Sequence, residues 1–207
     1  MDGVLADSEP LHQHVIRVML AEYGVDWDIS RGDPTVGLRS LDGFEIICAR
    51  HPLPHDARQL DVLYTARVLP VLRNQLRPLP GVPEVPRALA ARGLRLAVGS
   101  SSNPEVIETT LTALGVHALF EAVVSGAEVA RGKPAPDVFV EAAKRLGVPP
   151  GACLVIEDSE RGVQAARAAG MRCVAIPCGE TRHHDFSEAT LVLSALPELL
   201  ASPLFLS

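Results

Sequence analysis

The feature that most constrains this chain is a rhythm. Between residues 94 and 176 a short apolar run gives way to a helical stretch, and the exchange repeats. Leu94–Gly99 reads as a strand. A helix from Asn103 to Gly115 follows, with Asn103 as its N-cap, Pro104 in its first turn and Gly115 closing it. Glu121–Ser125 is a second strand and Pro136–Gly147 a second helix. Ala152–Glu157 is a third strand, Arg161–Gly170 a third helix and Cys173–Ile176 a fourth strand. Strands this apolar are buried on both faces, and strands joined through helices run parallel. The expected class is α/β, a Rossmann-like parallel sheet sandwiched by helices.

Residues 11–77 break the rhythm. No strand reads clearly there, whereas His12–Tyr23, Ser40–Arg50 and Asp56–Gln75 carry apolar residues at helical spacing. Pro70 is expected to kink or break the last of these helices. The expected organisation is an inserted all-helical domain over 11–77 and an α/β domain made from 1–10 and 78–207. A proline-rich return, Arg77–Pro83, connects them.

With 47% hydrophobic residues in 207, the chain can bury a sizeable core. Its 19 Lys+Arg against 25 Asp+Glu give a charge of −6 and no basic run, which argues against nucleic acid or an anionic membrane as partner. No basic stretch leads into an apolar one at the N-terminus, and no apolar run approaches the roughly 20 residues of a membrane span. The expected setting is the cytoplasm, as a monomer or weak dimer. Cys48, Cys153, Cys173 and Cys178 show no CxxC spacing. A zinc site from Cys173, Cys178, His183 and His184 would match no finger or ribbon pattern.

In an open parallel sheet, ligands bind beyond the carboxyl ends of the strands. Ser100-Ser101-Ser102-Asn103 follows the first strand and opens a helix, so its hydroxyls and free N–H groups suit a phosphate. Taken alone, it is equally a simple helix cap. After the second strand, Lys133 stands between Gly132 and Pro134, where a fixed ammonium could meet a phosphoryl oxygen. This is not a P-loop: five residues rather than four separate Gly126 from Gly132, and Pro134 occupies the Ser/Thr position. Glu157 and Asp158 end the third strand, where paired buried carboxylates need a neutralising partner such as a hard divalent cation. The chain itself opens with Asp2-Gly3-Val4-Leu5-Ala6-Asp7-Ser8.

This ordered set resembles the haloacid dehalogenase-like hydrolases, in the branch of β-phosphoglucomutase and the sugar-phosphate phosphatases with a helical cap. The first motif covers Asp2 to Ser8, the second is Ser100, the third Lys133 in Gly-Lys-Pro-Ala-Pro-Asp, the fourth Glu157-Asp158. The resemblance implies an aspartyl-phosphate mechanism with Mg²⁺. It makes Asp2 the general acid/base, with its backbone carbonyl on the metal. Asp158 would ligate Mg²⁺ by its side chain and Glu157 directly or through water. Ser100, Ser101 and Lys133 would bind phosphate, and Asp7, His12, Gly37 and Arg39 would serve substrate and cap.

The family's mutases carry Ser-Arg two and three residues beyond the glycine matching Gly37, and this chain has Arg39-Ser40. The reversal favours a phosphatase acting on a small phosphorylated metabolite, a sugar phosphate above all. The alternatives are a phosphosugar mutase or a non-catalytic phosphate-ligand binder. A phosphorylation-receiver domain lacks the helical insert and the late Glu-Asp pair.

In the family the first motif reads Asp-x-Asp-Gly, so the attacking aspartate is expected immediately before Met1, at the end of an apolar strand. The expectation is that a longer form carries both. Losing a central strand exposes the edges of its neighbours. A chain extended by that strand should therefore melt above residues 1–207, and equal melting temperatures in calorimetry would count against the reading.

Overall fold

The computed structural model describes residues 1–27 and 34–205, so residues 28–33 of the predicted helical insert lie outside the described residues. The α/β part contains β1 (Ala97–Ser100), β2 (Ala122–Ser125), β3 (Leu154–Glu157), β4 (Arg172–Ala175) and β5 (Leu191–Val192). β1 pairs with β2, and β3–β4–β5 form a second group, every pairing parallel. Among the described residues no pairing joins β1 to β3. The predicted strands are all present, with ends displaced by at most three residues. β5 escaped sequence reading because two residues carry no periodicity.

Alternation along the strands places side chains on two faces. Val98 and Val174 belong to one buried cluster, with Ile107, Leu111 and Leu199. Val124, Val155, Cys173 and Ala175 belong to another, with Val138, Phe139 and Val163. The first cluster is covered by α4 (Glu84–Ala91) and α5 (Pro104–Ala113), the second by α6 (Asp137–Leu146) and α7 (Glu160–Ala168). This is the sandwich expected of near-continuous apolar strands.

The helical layer consists of α1 (Glu9–Ala21), α2 (Ser40–Arg50) and α3 (Ala57–Gln75). Asp56 caps α3 with a full capping box: its side chain accepts from Gln59 N, and the Gln59 side chain accepts from Asp56 N. The break expected at Pro70 does not occur, and α3 runs through it. The reason is its position. Pro70 faces solvent, where water can serve the carbonyl it cannot bond, while Val68 and Leu72 are fully buried. Met19, Leu20, Phe44, Ile47, Leu60 and Tyr64 complete a core of their own. Ala6 and Val106 from the α/β part enter it, which seats the helical layer on α5.

Asn103 is a second correction. It precedes α5 but makes no cap bond. Its Nδ2 instead donates to Asp61 Oδ1 at 3.0 Å and Thr65 Oγ1 at 2.9 Å, both on α3. The chain crosses between layers twice, and the crossings run side by side: Asp7 N donates to Arg77 O and Leu79 N to Leu5 O. Among the described residues no helix is long and apolar enough to cross a membrane.

Leu72→Ala should destabilise the protein by about 2–5 kcal/mol in urea unfolding, because a fully buried side chain leaves a cavity. Val62→Ala on the same helix, at a site 69% exposed, should change it by less than about 0.5 kcal/mol.

Candidate active site

The carboxyl ends of β1 and β3, the loop after β2 and the first residues of the chain meet beneath the helical layer. They enclose a cavity of about 120 Å³. Met1, Asp2, Ser100, Ser101, Lys133, Glu157 and Asp158 line it from the α/β side, and His12, Gly37 and Arg39 from the helical side. Of the residues singled out from the sequence, Asp7 alone stays away: it is exposed and lines no part of the cavity. The neighbouring Ser8 turns inward instead and is fully buried.

Lys133 is not a solvated lysine. It is 7% exposed, and its Nζ donates to Glu157 Oε1 at 2.5 Å and to Gly99 O at 3.3 Å. The ammonium also lies over the Phe139 ring, 4.7 Å from its centroid. Glu157 is fully engaged. Its Oε2 accepts from the Asp158 and Ser159 amides and from Ser159 Oγ. Burial alone would push this carboxyl up, and the Lys133 ammonium reverses the effect and holds it well below the usual range. A carboxylate committed in this way positions Lys133 and has little capacity left for a direct metal bond.

Asp158 is the opposite case. Burial, and then the Glu157 charge, push its carboxyl up to about 7. Its Oδ2 lies where a side chain on residue 3 would be, only 2.0 Å from a Cβ built there, so Gly3, at φ +67°, is required for the approach. The Cys178 thiol stands 3.4 Å from the same oxygen. Cys173 lies buried in the sheet, and among the described residues no three His, Cys, Asp or Glu side chains form a metal cage. The oxygen donors present, Asp158 and Asp2, nonetheless fit Mg²⁺, which keeps several waters and takes one or two carboxylates with substrate oxygens. A carboxyl driven up by burial beside another carboxylate is where such a cation would be stabilising.

Asp2 receives Ser8 Oγ at 2.6 Å on Oδ1 and Ser102 Oγ at 3.0 Å on Oδ2. Burial would raise its carboxyl, but the His12 imidazole and Ser8 together hold it well below the ordinary value. His12 is expected on the substrate and cap side, and it lines the cavity. It is buried, with Nδ1 2.6 Å from the Tyr64 hydroxyl and Nε2 3.4 Å from Asp2 Oδ1. That Nε2 makes no hydrogen bond.

Ser100 is buried and its Oγ accepts from Ser102 N at 3.2 Å. The Ser101 hydroxyl donates to Gly37 O at 3.0 Å, so it ties the two layers together. Arg39 lines the cavity, but its Nε and Nη2 donate to the two oxygens of Asp42, each at 2.7 Å. Sequence reasoning gave no individual role to Ser8, Ser102, Tyr64 or Ser159. Ser8 stood in the first motif and Ser102 in the serine run after β1.

Comparison with known proteins agrees with this geometry. A family model described as haloacid dehalogenase-like hydrolase matches residues 1–170. Protein CbbY of Rhodobacter capsulatus is 36% identical, with 96% of each chain covered. Hexitol phosphatase B of Escherichia coli is 35% identical over 99% of this chain and 93% of its own. The crystal structure of a CbbY variant from Rhodobacter sphaeroides in complex with xylulose-1,5-bisphosphate superposes with a TM-score of 0.84 at 28% identity, over 94% of this chain and 91% of that one.

The raised Asp158 carboxyl has a definite sign. The folded state holds its proton to higher pH than the unfolded chain, so in metal-free buffer this group lowers stability as pH rises from 3.8 to about 7. Asp158→Asn should flatten that part of the stability–pH curve, as read by chemical denaturation. Lys133→Ala should act the other way and destabilise by about 3–5 kcal/mol at neutral pH, because it strands Glu157 in the interior.

Proposed function

Because the chain belongs to the haloacid dehalogenase-like hydrolases, we propose that it is a Mg²⁺-dependent phosphatase acting on a small phosphorylated metabolite, a sugar or polyol phosphate. The observation that carries this reading is the convergence of Asp2, Ser100, Lys133 and Asp158 on one cavity at the strand ends. The relatives named as phosphatases support it.

In this reading the phosphoryl group of the substrate lies against Lys133 and Ser100. The ammonium, already fixed by Glu157, neutralises charge on the transferring oxygens without reorganising. Asp2 exchanges the proton with the leaving oxygen and then with water. The incoming phosphate is an anion beside Asp2, and it raises the proton affinity that His12 and Ser8 otherwise depress. Mg²⁺, held by the Asp158 side chain and the Asp2 carbonyl, would supply further charge neutralisation and orient the phosphate. Residues 11–77 form the cap, closing over the leaving alcohol and keeping bulk water out.

A mutase must grip a second phosphate from the cap side. The arginine in place for that, Arg39, is held by Asp42, and this favours hydrolysis.

The test is phosphate release from a panel of sugar monophosphates by a protein carrying aspartate immediately before Met1. Turnover should need Mg²⁺ and stop with EDTA. Lys133→Ala and Asp2→Asn should each lower kcat/KM by about 10²–10⁴-fold. Turnover that survives EDTA, or is indifferent to Lys133→Ala, would overturn the proposal.

A further inference from the structure

The polar turn after β4, from Cys178 to Asp185, takes no part in the proposed chemistry, yet it folds against the carboxyl end of β3. Three contacts bring it there. The Cys178 thiol stands 3.4 Å from Asp158 Oδ2. His184 Nδ1 accepts from Glu160 N at 3.4 Å, and Asp185 N donates to Glu160 Oε2 at 3.3 Å. The turn also bonds to itself: Thr181 N donates to Cys178 O, and His184 N to Thr181 O. Three of the residues weighed from spacing as a zinc set are thereby parted. Cys173 is buried in the sheet, Cys178 meets Asp158 and His184 meets Glu160.

The hydrogens give the thiol its direction. Thr181 is fully buried, and its hydroxyl accepts from Cys178 N at 3.0 Å. Its own hydrogen is then available to Cys178 Sγ, 3.3 Å away. An ionised carboxylate can only accept, so between Sγ and Asp158 Oδ2 the thiol is the donor. Glu180 Oε2, at 3.7 Å, is the more distant acceptor for the same thiol. Donation therefore runs from Thr181 to Cys178 to Asp158, and bonds aligned in this way polarise one another. Against the same oxygen of Asp158 lies Gly3, whose missing side chain permits the approach. One carboxylate oxygen is thus held by neighbours outside the cation's reach of chemistry, and the other is left to meet the cation.

We infer that Cys178 is a positioning residue for the cation: its thiol holds Asp158 Oδ2 and presents the carboxylate to Mg²⁺ in one orientation. Resting on the Mg²⁺ reading above, this adds to it a group that touches neither metal nor substrate. A carboxylate ordered beforehand binds a cation more tightly than one that must be ordered on arrival. Hydrogen-bonding partners of metal ligands contribute about 10–100-fold in affinity. A thiol is a weak donor and belongs at or below the lower end of that range.

The probe is Mn²⁺, whose binding to residues 1–207 without substrate is read by electron paramagnetic resonance. Melting in EDTA reads what the same substitutions do to the fold. Cys178→Ala should weaken Mn²⁺ about three- to tenfold and leave the melting temperature in EDTA within about 3 °C. Cys178→Ser, which keeps a donor, should bind Mn²⁺ within about twofold of the unaltered chain. Asp158→Asn should abolish binding in the same assay. If it does, and Cys178→Ala binds Mn²⁺ as tightly as the unaltered chain, the inference falls and the Mg²⁺ reading stands. It falls equally if Cys178→Ser and Cys178→Ala weaken Mn²⁺ alike, which is what lost packing would do. A Cys178→Ala chain that does not fold makes the residue structural and overturns the inference too. Mn²⁺ binding that survives Asp158→Asn, or no binding by the unaltered chain, overturns the inference together with the Mg²⁺ reading.

Discussion

The Lys133–Glu157 pair is the interaction on which the rest of the site depends. Two opposite charges out of water are tolerable only with good geometry and with their remaining bonding capacity filled. Here the geometry is supplied by three separate parts of the chain. Gly99 at the end of β1 offers its carbonyl to Lys133, the loop after β2 carries the lysine, and the end of β3 carries Glu157. Ser159 and two amides complete the carboxylate, and the Ser159 hydroxyl accepts in turn from Gly162 N at the start of α7. One ion pair therefore fixes the relative position of strand ends that do not hydrogen-bond to each other as strands. It also leaves Asp158 beside a second carboxylate, and burial with the Glu157 charge pushes it up to about 7.

The second dependence is between layers. The helical layer is fastened to the α/β part at its edges, around the cavity. Ser101 donates to Gly37 O, Arg161 to Val36 O at 2.6 Å, Asn103 to Asp61 and Thr65, and Arg39 reaches Val129 O. Val106 adds an apolar contact from α5 into the helical core. Most of these are single bonds to backbone carbonyls near the surface, where water can replace them at a net cost of about 1 kcal/mol each. Such a seam can hold a closed arrangement and still give way, as a site that must admit substrate and release product requires.

The sequence made the sheet legible because its strands are short apolar runs closed by turn residues, and the sandwich followed from their parallel connection. The helical insert was legible from periodicity. What failed did so for local reasons. Asn103 has the right chemistry for a cap and the right backbone, yet α3 offers its amide two oxygens that a cap cannot match. Pro70 breaks helices only where its lost bond is buried, and exposure is not written in spacing. At the site, the strand-end positions of Ser100, Lys133, Glu157 and Asp158 could be read because each follows an apolar run. The hydrogen-bond partners of Glu157 and Ser101 could not, since they lie on distant parts of the chain or turn on local geometry. Tyr64 carried no signal at all, because its meaning lies in a residue 52 positions away.

Arg39 shows how much the chemistry of a motif depends on its neighbours. An arginine beyond a glycine on the cap side suggests an anion grip. Asp42, three residues on, lies one helical turn away and presents a carboxylate to the same fork. Gly126 and Gly132, more than eighty residues distant, then leave room for the stem of that arginine. Each glycine alone reads as loop flexibility. Together with Asp42 they seat the arginine between the start of the second helix and the loop after β2.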